Sequence, residues 1–244
     1  MQPHKSNNVV PFTIYQLSEQ AVSMEFGKEI SEATFGNLSQ FRRKLHSHPF
    51  DGFIDSVQAY TTLSVFYDPV KVSQSAGLVG AGCYYRVSAY LSSLYAEPCS
   101  HENSTYPIVT IPICYGGALG PDLNEVAQLN NQTPEEVIKL HSTAVYKVFM
   151  IGFIPGFAYL GGLPEALATP RKTTPRQVVP AGAVGIAGKQ TGIYPLSTPG
   201  GWQLIGQTPL KMFDVRHMQP SLLQAGDRVI FKPISYQEYQ HYGH

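Results

Sequence analysis

Apolar and polar residues alternate over much of the first hundred positions, and this alternation predicts paired β-strands. Phe12–Leu17 and Ala21–Phe26 alternate on either side of a short polar turn, which is typical of a hairpin. Phe53–Ala59 and Thr62–Tyr67 repeat the same arrangement further along the chain. The pattern therefore predicts two strand pairs in the first half of the protein.

Apolar residues at helical spacing follow each strand pair. The first series begins after Ser31, and its members are Phe35, Leu38, Phe41 and Leu45. The second predicts one long helix from Ser73 or Ser75 to about Leu94, in which Gly77, Gly80 and Gly82 allow close helix packing. The order of strand pair, helix, strand pair and helix favours a small α+β domain, which we place at residues 1–100.

The composition becomes polar over Ala96–Tyr106, and we expect the domain boundary there, with a second domain over residues 101–244. Helices are predicted to begin at Pro121 and at the T-x-x-E capping box Thr133–Glu136. Strands of the second domain are predicted at Pro107–Cys114, Ala144–Phe153 and Arg228–Pro233.

Glycine and proline are concentrated between Gly152 and Phe213, where they separate short apolar segments. Because glycine adopts positive φ and proline fixes φ at turns, this stretch indicates short strands in a mainly-β domain. The polar segment Gln237–His244 is expected to be a frayed tail.

Composition narrows the classes of function. The 244 residues contain 17 Lys and Arg against 17 Asp and Glu, so no net charge favours nucleic acid or an anionic membrane. No run approaches the roughly 18 apolar residues of a membrane span, and the N-terminus lacks the apolar core of a signal peptide. The three cysteines form no C-x-x-C pair, so we expect reduced thiols in a cytoplasmic protein; Cys114 is either a small buried residue or a nucleophile.

Familiar catalytic motifs are absent from the sequence. It contains no G-x-x-x-x-G-K-[ST] phosphate loop, no H-E-x-x-H and no G-x-S-x-G. The eight histidines lack the spacing of metal ligands, and we predict no metal site.

Several polar residues near glycine-rich turns remain as candidates. Backbone N–H groups at Gly116 and Gly117 suit an anion, although a tight strand-to-helix connection explains the same glycines. Arg171 and Arg176 suit a carboxylate or phosphate, or else form ion pairs at a surface or interface. His141 is a candidate base or a structural residue.

The turn that contains Gln190 and Tyr194 offers hydrogen bonds to a small polar ligand. Trp202, the only tryptophan, follows two glycines. This position suits either a pocket wall or an anchor at an interface.

Four long motifs resemble one family. They are YGGxxGPDL at Tyr115–Leu123, GFxPGFxYLGGLP at Gly152–Pro164, PRxxxPRxxVPAGxVGIAGxQTGIYP at Pro170–Pro195 and PGGWxLIGxTP at Pro199–Pro209. Their order and content are similar to the KipI/PxpB family, also called allophanate hydrolase subunit 1 or carboxyltransferase subdomain C. The resemblance extends over about residues 12–233.

This resemblance implies a cyclophilin-like β-barrel as the second domain and a function as the PxpB component of an ATP-dependent 5-oxoprolinase. Such an enzyme opens 5-oxoproline to glutamate together with a PxpA-like protein and a sister cyclophilin-like protein of the KipA/PxpC type. It also implies that ATP is bound with the partner subunits and that the isolated chain is inactive. In that reaction Arg171 and Arg176 would bind phosphoryl or carboxylate groups, and His141 or Asp122 would transfer protons.

Two other functions occur in families with this resemblance and stay open. One is inhibition of a sporulation-type histidine kinase, which requires a binding surface and no chemistry. The other is a carboxyltransferase component of urea or amide (allophanate) metabolism, which requires a biotinylated partner.

Overall fold

A computed structural model describes residues 12–98 and 107–242 of the chain. Its internal contacts separate two units, Met1–Asn103 and Ser104–His244. The loose tail predicted at residues 1–10, Cys99 and most of the predicted boundary segment lie outside the described residues.

The two predicted strand pairs of the first unit form one antiparallel sheet. The strands are β1 (Thr13–Ser18), β2 (Ala21–Glu25), β3 (Phe53–Ala59) and β4 (Thr62–Tyr67). Their order is β1-β2-β4-β3, so that β2 and β4 pair in the centre and each hairpin ends at an edge. The alternation of apolar residues thus gives one face of the sheet to the core.

Helices α1 (Glu32–Ser47) and α3 (Cys83–Ala96) provide the other side of this core. The Ser31 side chain accepts the Thr34 N–H and begins α1 as an N-cap. Buried residues from the helices and the sheet form a single cluster, which includes Met24, Phe26, Leu38, Phe41, Leu63, Val65, Val87 and Leu91.

The long second helix of the sequence prediction is wrong, because two helices occupy that segment. The Asp68 side chain accepts the N–H groups of Val70 and Lys71, which begins the short helix α2 (Pro69–Gln74). The chain then forms a loop before α3, in which Val79 is 80% exposed. Gly80 has φ +152° in this loop, and a Cβ there would lie 2.7 Å from the backbone nitrogen of Arg86 in α3, so this glycine belongs to a loop that passes close to the helix.

The second unit contains a closed seven-stranded barrel with the order β10-β7-β6-β13-β5-β12-β9. This confirms the predicted barrel, whereas the likeness to cyclophilins stays a prediction. The barrel strands are β5 (Ile108–Tyr115), β6 (Val145–Ile151), β7 (Ala158–Gly161), β9 (Ala183–Ala187), β10 (Gln190–Ile193), β12 (Gln203–Gln207) and β13 (Arg228–Pro233). Strands β5 and β13 pair in parallel, and the other neighbours are antiparallel.

A further two-stranded sheet accompanies the barrel, formed by β8 (Arg176–Val179) and β11 (Thr198–Gly200). Helices α4 (Leu123–Leu129) and α5 (Pro134–Thr143) pack against the barrel core through Leu123, Val126 and Val137. The predicted capping box is confirmed, since Thr133 and Glu136 exchange hydrogen bonds at the start of α5.

Two boundaries of the second unit differ from the sequence prediction. Helix α4 begins at Leu123, two residues after Pro121, and the Asp122 side chain makes no capping hydrogen bond. The segment expected to fray contains helix α6 (Tyr236–His241). Ser235 and Glu238 form a capping box at its start, and this local pair explains the order of a polar segment.

Within residues 12–98 and 107–242, no helix has both the length and the apolar character needed to cross a membrane.

Candidate functional site

A cluster of charged side chains surrounds Asp122 at the start of α4. Oδ1 of Asp122 accepts hydrogen bonds from Arg176 Nη2 at 2.7 Å and from Lys172 Nζ at 3.1 Å. Oδ2 accepts the backbone N–H of Leu204 at 2.7 Å, and the Asp122 N–H donates to the Leu204 carbonyl at 2.9 Å. Both carboxylate oxygens are therefore occupied, and the side chain is only 4% exposed.

The charge of Asp122 is fixed by these neighbours. Burial by itself would raise the pKa of Asp122, but hydrogen bonds from Arg176, Leu204 and Lys172 outweigh burial and lower the pKa. Asp122 consequently stays ionised at neutral pH. Its occupied oxygens and lowered pKa do not suit proton transfer, which the sequence assigned to it as a possible role.

Lys172 is held by a second carboxylate. Its Nζ donates to Glu125 Oε2 at 2.7 Å and to Gln203 Oε1 at 3.3 Å, and Gln203 Nε2 donates to Glu125 Oε1 at 3.3 Å. The hydrogen bond to Glu125 is the main reason that the pKa of Lys172 is raised. Lys172 is thus a charged group whose hydrogen bonds go to protein oxygens.

Arg176 differs from Lys172 in keeping one donor group unused. Its Nη2 binds Asp122, while its Nη1 is buried and has no hydrogen-bond partner among the described residues. The side chain as a whole is 28% exposed, so the guanidinium lies at the edge of the cluster and not deep in the core. Arg176 begins β8, where it pairs with Gly200 of β11.

An aromatic cluster lies in the same unit. The ring of Phe157 meets Tyr194 at 5.2 Å and Trp202 at 5.5 Å between centroids, both edge to face. Tyr159 packs against Phe157 at 4.8 Å. The guanidinium of Arg171 lies over Trp202, with Cζ 5.9 Å from the ring centroid, a cation–π contact.

Gly200 connects the aromatic cluster to the charged cluster. It is paired with Arg176, and a Cβ at Gly200 would lie 2.5 Å from the hydroxyl oxygen of Tyr194. A backbone hydrogen bond from Trp202 also reaches the Tyr194 side chain. Burial raises the pKa of Tyr194, and the charges of Arg171 and Arg176 oppose this effect. The Tyr194 hydroxyl is therefore close to both arginines.

His141 occupies a different environment. It is fully buried and stacks on Phe231 at 4.6 Å, with Nδ1 2.8 Å from the Tyr115 hydroxyl and Nε2 3.0 Å from Thr191 Oγ1. Since Thr191 donates its own proton to the Gly185 carbonyl, we assign the proton of His141 to Nε2. Burial lowers the pKa of His141 to about 3. The ring is neutral and enclosed, which favours the structural interpretation over that of a base.

The glycines of the predicted turn also have a structural role. Gly116 and Gly117 have φ +72° and +56° at the connection from β5 to α4. The Gly116 N–H donates to the Ile205 carbonyl at 3.0 Å, and the Gly120 N–H donates to the Gly116 carbonyl at 2.9 Å. These bonds favour the tight strand-to-helix connection, because the Gly116 donor is used within the protein.

Gln190 and Tyr194 do not form one binding turn. Gln190 begins β10 and Tyr194 follows its last residue, Ile193. Four residues of extended chain span about 13 Å, so the two side chains lie at opposite ends of the strand.

Cys114 lies on β5 and is buried. Burial raises the pKa of its thiol, whereas a nucleophilic cysteine requires a lowered pKa. The structure thus favours the interpretation of Cys114 as a small core residue.

Three residues of the network around Asp122 were not among the candidates from the sequence, namely Lys172, Glu125 and the neutral Gln203. Lys172 follows Arg171 directly, Glu125 lies three residues after Asp122, and Gln203 follows Trp202. Their proximity in sequence to selected residues was the one available indication.

Comparison with known proteins identifies relatives of the whole chain. The family described as carboxyltransferase domain, subdomain C and D, matches residues 12–223. A protein of Bacillus subtilis (strain 168), named as the B subunit of 5-oxoprolinase, is 45% identical over 233 residues, which cover 96% of this chain and 97% of that protein.

Two solved structures show similar folds. A conserved uncharacterized protein from Pyrococcus horikoshii is 38% identical with a TM-score of 0.54, and the match covers 93% of this chain and 100% of that one. The K. lactis urea amidolyase has a TM-score of 0.77 at 19% identity, covering 98% of this chain and 16% of that protein. At that identity the second match concerns the fold alone.

Proposed function

We propose that this chain, which belongs to the KipI/PxpB family of carboxyltransferase domains, subdomain C and D, is the PxpB component of an ATP-dependent 5-oxoprolinase. The observation that supports this most is the 45% identity to the Bacillus subtilis 5-oxoprolinase component over almost the full length of both proteins. In this proposal the chain acts with PxpA-like and PxpC-like proteins to open 5-oxoproline to glutamate.

The chemistry of the reaction requires positive groups. A five-membered lactam is a poor electrophile, and negative charge develops on its oxygen during ring opening. The described residues supply Lys172 and Arg176 on the buried carboxylate of Asp122, and Arg171 over Trp202 of the aromatic cluster. Such an arrangement binds and orients an anionic group of the substrate, while neither His141 nor Asp122 is suited to carry the proton.

The glycine turn lacks the several free donors of a phosphate loop for a nucleoside triphosphate. Phosphate loops offer several free backbone N–H groups, but the Gly116 and Gly120 donors already bind carbonyls of this chain. We therefore propose that ATP is bound with the partner subunits.

Reconstitution tests this function. The purified chain, the candidate PxpA-like and PxpC-like proteins of the same genome, and all combinations of them are assayed for glutamate formed from 5-oxoproline with and without ATP. We expect ATP-dependent glutamate with the three proteins together and little with this chain alone. Full turnover by the isolated chain would contradict a shared site.

A carboxyltransferase component is a second candidate, because the family description names that activity and the fold matches K. lactis urea amidolyase. The assay for it supplies urea, ATP, labelled bicarbonate, a biotin carboxylase and a biotin carrier, and measures transfer of the labelled carboxyl group from carboxybiotin to urea. Transfer that depends on this chain, together with no formation of glutamate, would favour this candidate over the first.

A further inference from the structure

We propose that Arg176 is the receptor for the carboxylate of a small monoanionic substrate, which it binds through Nη1, and that Asp122 is the positioning residue that orients the guanidinium. The identity of the substrate as 5-oxoproline rests on the function proposed above. The recognition of a carboxylate rests on the geometry of the cluster itself.

The unused donor of Arg176 is the first observation. Nη1 is buried without a hydrogen-bond partner in the described part of the chain, while Nη2 of the same guanidinium is bound to Asp122 at 2.7 Å. Buried donors are almost always satisfied in folded proteins, and an exception needs a reason. A ligand oxygen that completes the guanidinium is such a reason, because the planar group presents its N–H donors in a fixed fork.

Two contacts hold Arg176 in place before any ligand arrives, and the group that covers the buried Nη1 must move for a ligand to reach it. Asp122 Oδ1 holds Nη2, and the opposite oxygen of the same carboxylate is fixed by the Leu204 N–H at 2.7 Å. The backbone of Arg176 is fixed by its pairing with Gly200. A preorganised donor loses little conformational entropy on binding, which favours a specific ligand over a diffuse ion.

The charge of the cluster favours a monoanion. Lys172 and Arg176 balance the two carboxylates Asp122 and Glu125, and the exposed Arg171 over Trp202 adds an excess of one positive charge beside the cluster. A carboxylate neutralises this excess, whereas a phosphoryl group with about two negative charges would leave an uncompensated charge near the buried Asp122.

The neighbours of Arg176 suit the rest of such a ligand. The Tyr194 hydroxyl lies against Gly200, next to the paired Arg176, and the buried rings of Trp202 and Phe157 pack behind it. A small ring with one carboxylate and one amide matches a charged group beside a hydroxyl and apolar walls.

The experiment compares ligands that differ in the carboxylate alone. Binding of 5-oxoproline, of pyrrolidin-2-one, which is the same lactam without the carboxylate, and of inorganic phosphate is measured by calorimetry and ligand-observed NMR. The full chain and the reconstituted assembly are both used, as the wild type and as Arg176→Ala, Arg176→Lys and Asp122→Asn. Lys189→Ala is the matched control, because Lys189 is a cation of the same unit whose partner is the exposed Glu165.

We expect Arg176→Ala to weaken 5-oxoproline binding about ten- to a hundredfold, as for the loss of a charge-assisted hydrogen bond, and to leave pyrrolidin-2-one unchanged. Arg176→Lys keeps the positive charge but loses the planar pair of N–H donors, so it should recover part of the affinity for 5-oxoproline. The same variant tests the proposal if Arg176→Ala fails to fold. Asp122→Asn should raise KM for 5-oxoproline in the assembly more than it lowers kcat, since it misplaces the receptor.

Several results would overturn the proposal. In Arg176→Ala, these are equal losses of affinity for 5-oxoproline and pyrrolidin-2-one, or loss of phosphate binding while 5-oxoproline binding stays intact. An effect of Lys189→Ala as large as that of Arg176→Ala would also contradict it. So would the absence of saturable 5-oxoproline binding by both the chain and the assembly. Because binding is read directly, an assembly that binds 5-oxoproline through Arg176 but forms no glutamate would contradict the proposed function and support this inference.

Discussion

The second unit contains two polar networks of opposite character, one around His141 and one around Asp122. The His141 network is neutral, its His141 and Thr191 are fully buried, and each of its hydrogen bonds ends on another protein group. The Asp122 network is charged, includes partly exposed cations, and has one buried donor that no described residue satisfies.

This difference indicates which network stabilises the fold and which network can bind a ligand. A neutral network in the core costs little to bury when all its donors are satisfied, and it holds the surrounding strands together. A charged network is costly to bury, and its unsatisfied donor gives a ligand something to complete. A polar residue selected from the sequence can belong to either type, and the environment decides between them.

The largest expected effect comes from removing His141. His141→Ala leaves the hydroxyls of Tyr115 and Thr191 without their partner and creates a cavity beside Phe231. We expect a loss of about 3–5 kcal/mol in the free energy of unfolding, measured in urea. His217→Ala is the control, since His217 is 73% exposed and should change stability by less than about 0.5 kcal/mol. A loss below about 1 kcal/mol in His141→Ala would contradict the enclosed network.

The next largest effect is a dependence of the free energy of unfolding on pH. Above pH 4 we expect it from the His141 network and not from the Asp122 network. The pKa of His141 falls from 6.5 in the unfolded chain to about 3 in the folded protein, so the fold favours the neutral ring. This contribution is fully present above pH 6.5 and is lost as the pH falls toward 3. Linkage gives a loss of about 3 kcal/mol between pH 7 and pH 4.

Urea unfolding at a series of pH values measures this slope. The lowered pKa of Asp122 acts in a lower range, since its contribution is present above the unfolded pKa of 3.8 and is lost below it. A His141→Phe variant should lose the part of the slope that lies between pH 6.5 and about 4. An unchanged slope would show that His141 is accessible to protons in the folded protein.

A smaller loss is expected from Asp122→Asn. The amide keeps the shape of the side chain but removes the negative charge that holds Lys172 and Arg176, which we expect to cost about 2–3 kcal/mol of stability. Glu165→Gln, which affects the exposed pair with Lys189, is the matched control and should cost under about 0.5 kcal/mol. Equal losses in the two variants would remove the distinction between a buried and a surface ion pair.

The smallest effect should follow Arg171→Ala. Arg171 is exposed and its described contact is the face of Trp202, a cation–π contact worth about 0.5–1 kcal/mol. The rate of the reconstituted assembly should therefore fall by no more than about fivefold, well below the effect of Arg176→Ala. Equal effects of the two substitutions would extend the site to Arg171, as the sequence alone suggested.

Local features of the sequence predicted much of the fold. The alternating segments Ala21–Glu25 and Thr62–Tyr67 are strands, and the apolar spacing of α1 places Phe35, Leu38, Phe41 and Leu45 in the core. The Thr133–Glu136 capping box marks the start of α5. These predictions succeeded because a hairpin, a helix face and a cap each depend on residues a few positions apart.

Because these predictions depend on residues a few positions apart, they do not extend to features that distant contacts determine. Apolar residues at helical spacing continue across residues 75–82, but Arg86 donates to the carbonyls of Val72, Ser73 and Ser75 and fixes a loop there. The proton-transfer roles of His141 and Asp122 followed from the resemblance to the family and stay a prediction that the burial of both residues disfavours. Nothing within a few positions of either residue indicates its burial or its partners.

Patterns along the chain were thus enough to predict most elements, the family and a set of polar candidates that included Arg176, Asp122, Tyr194 and Trp202. Which of these candidates meet depends on the folded barrel. Asp122 is 50 residues from Lys172, 54 from Arg176 and 82 from Leu204, and closure of the barrel brings all three to one carboxylate. The pKa of a buried group and the unused donor of Arg176 depend on those distant contacts, which no local pattern encodes.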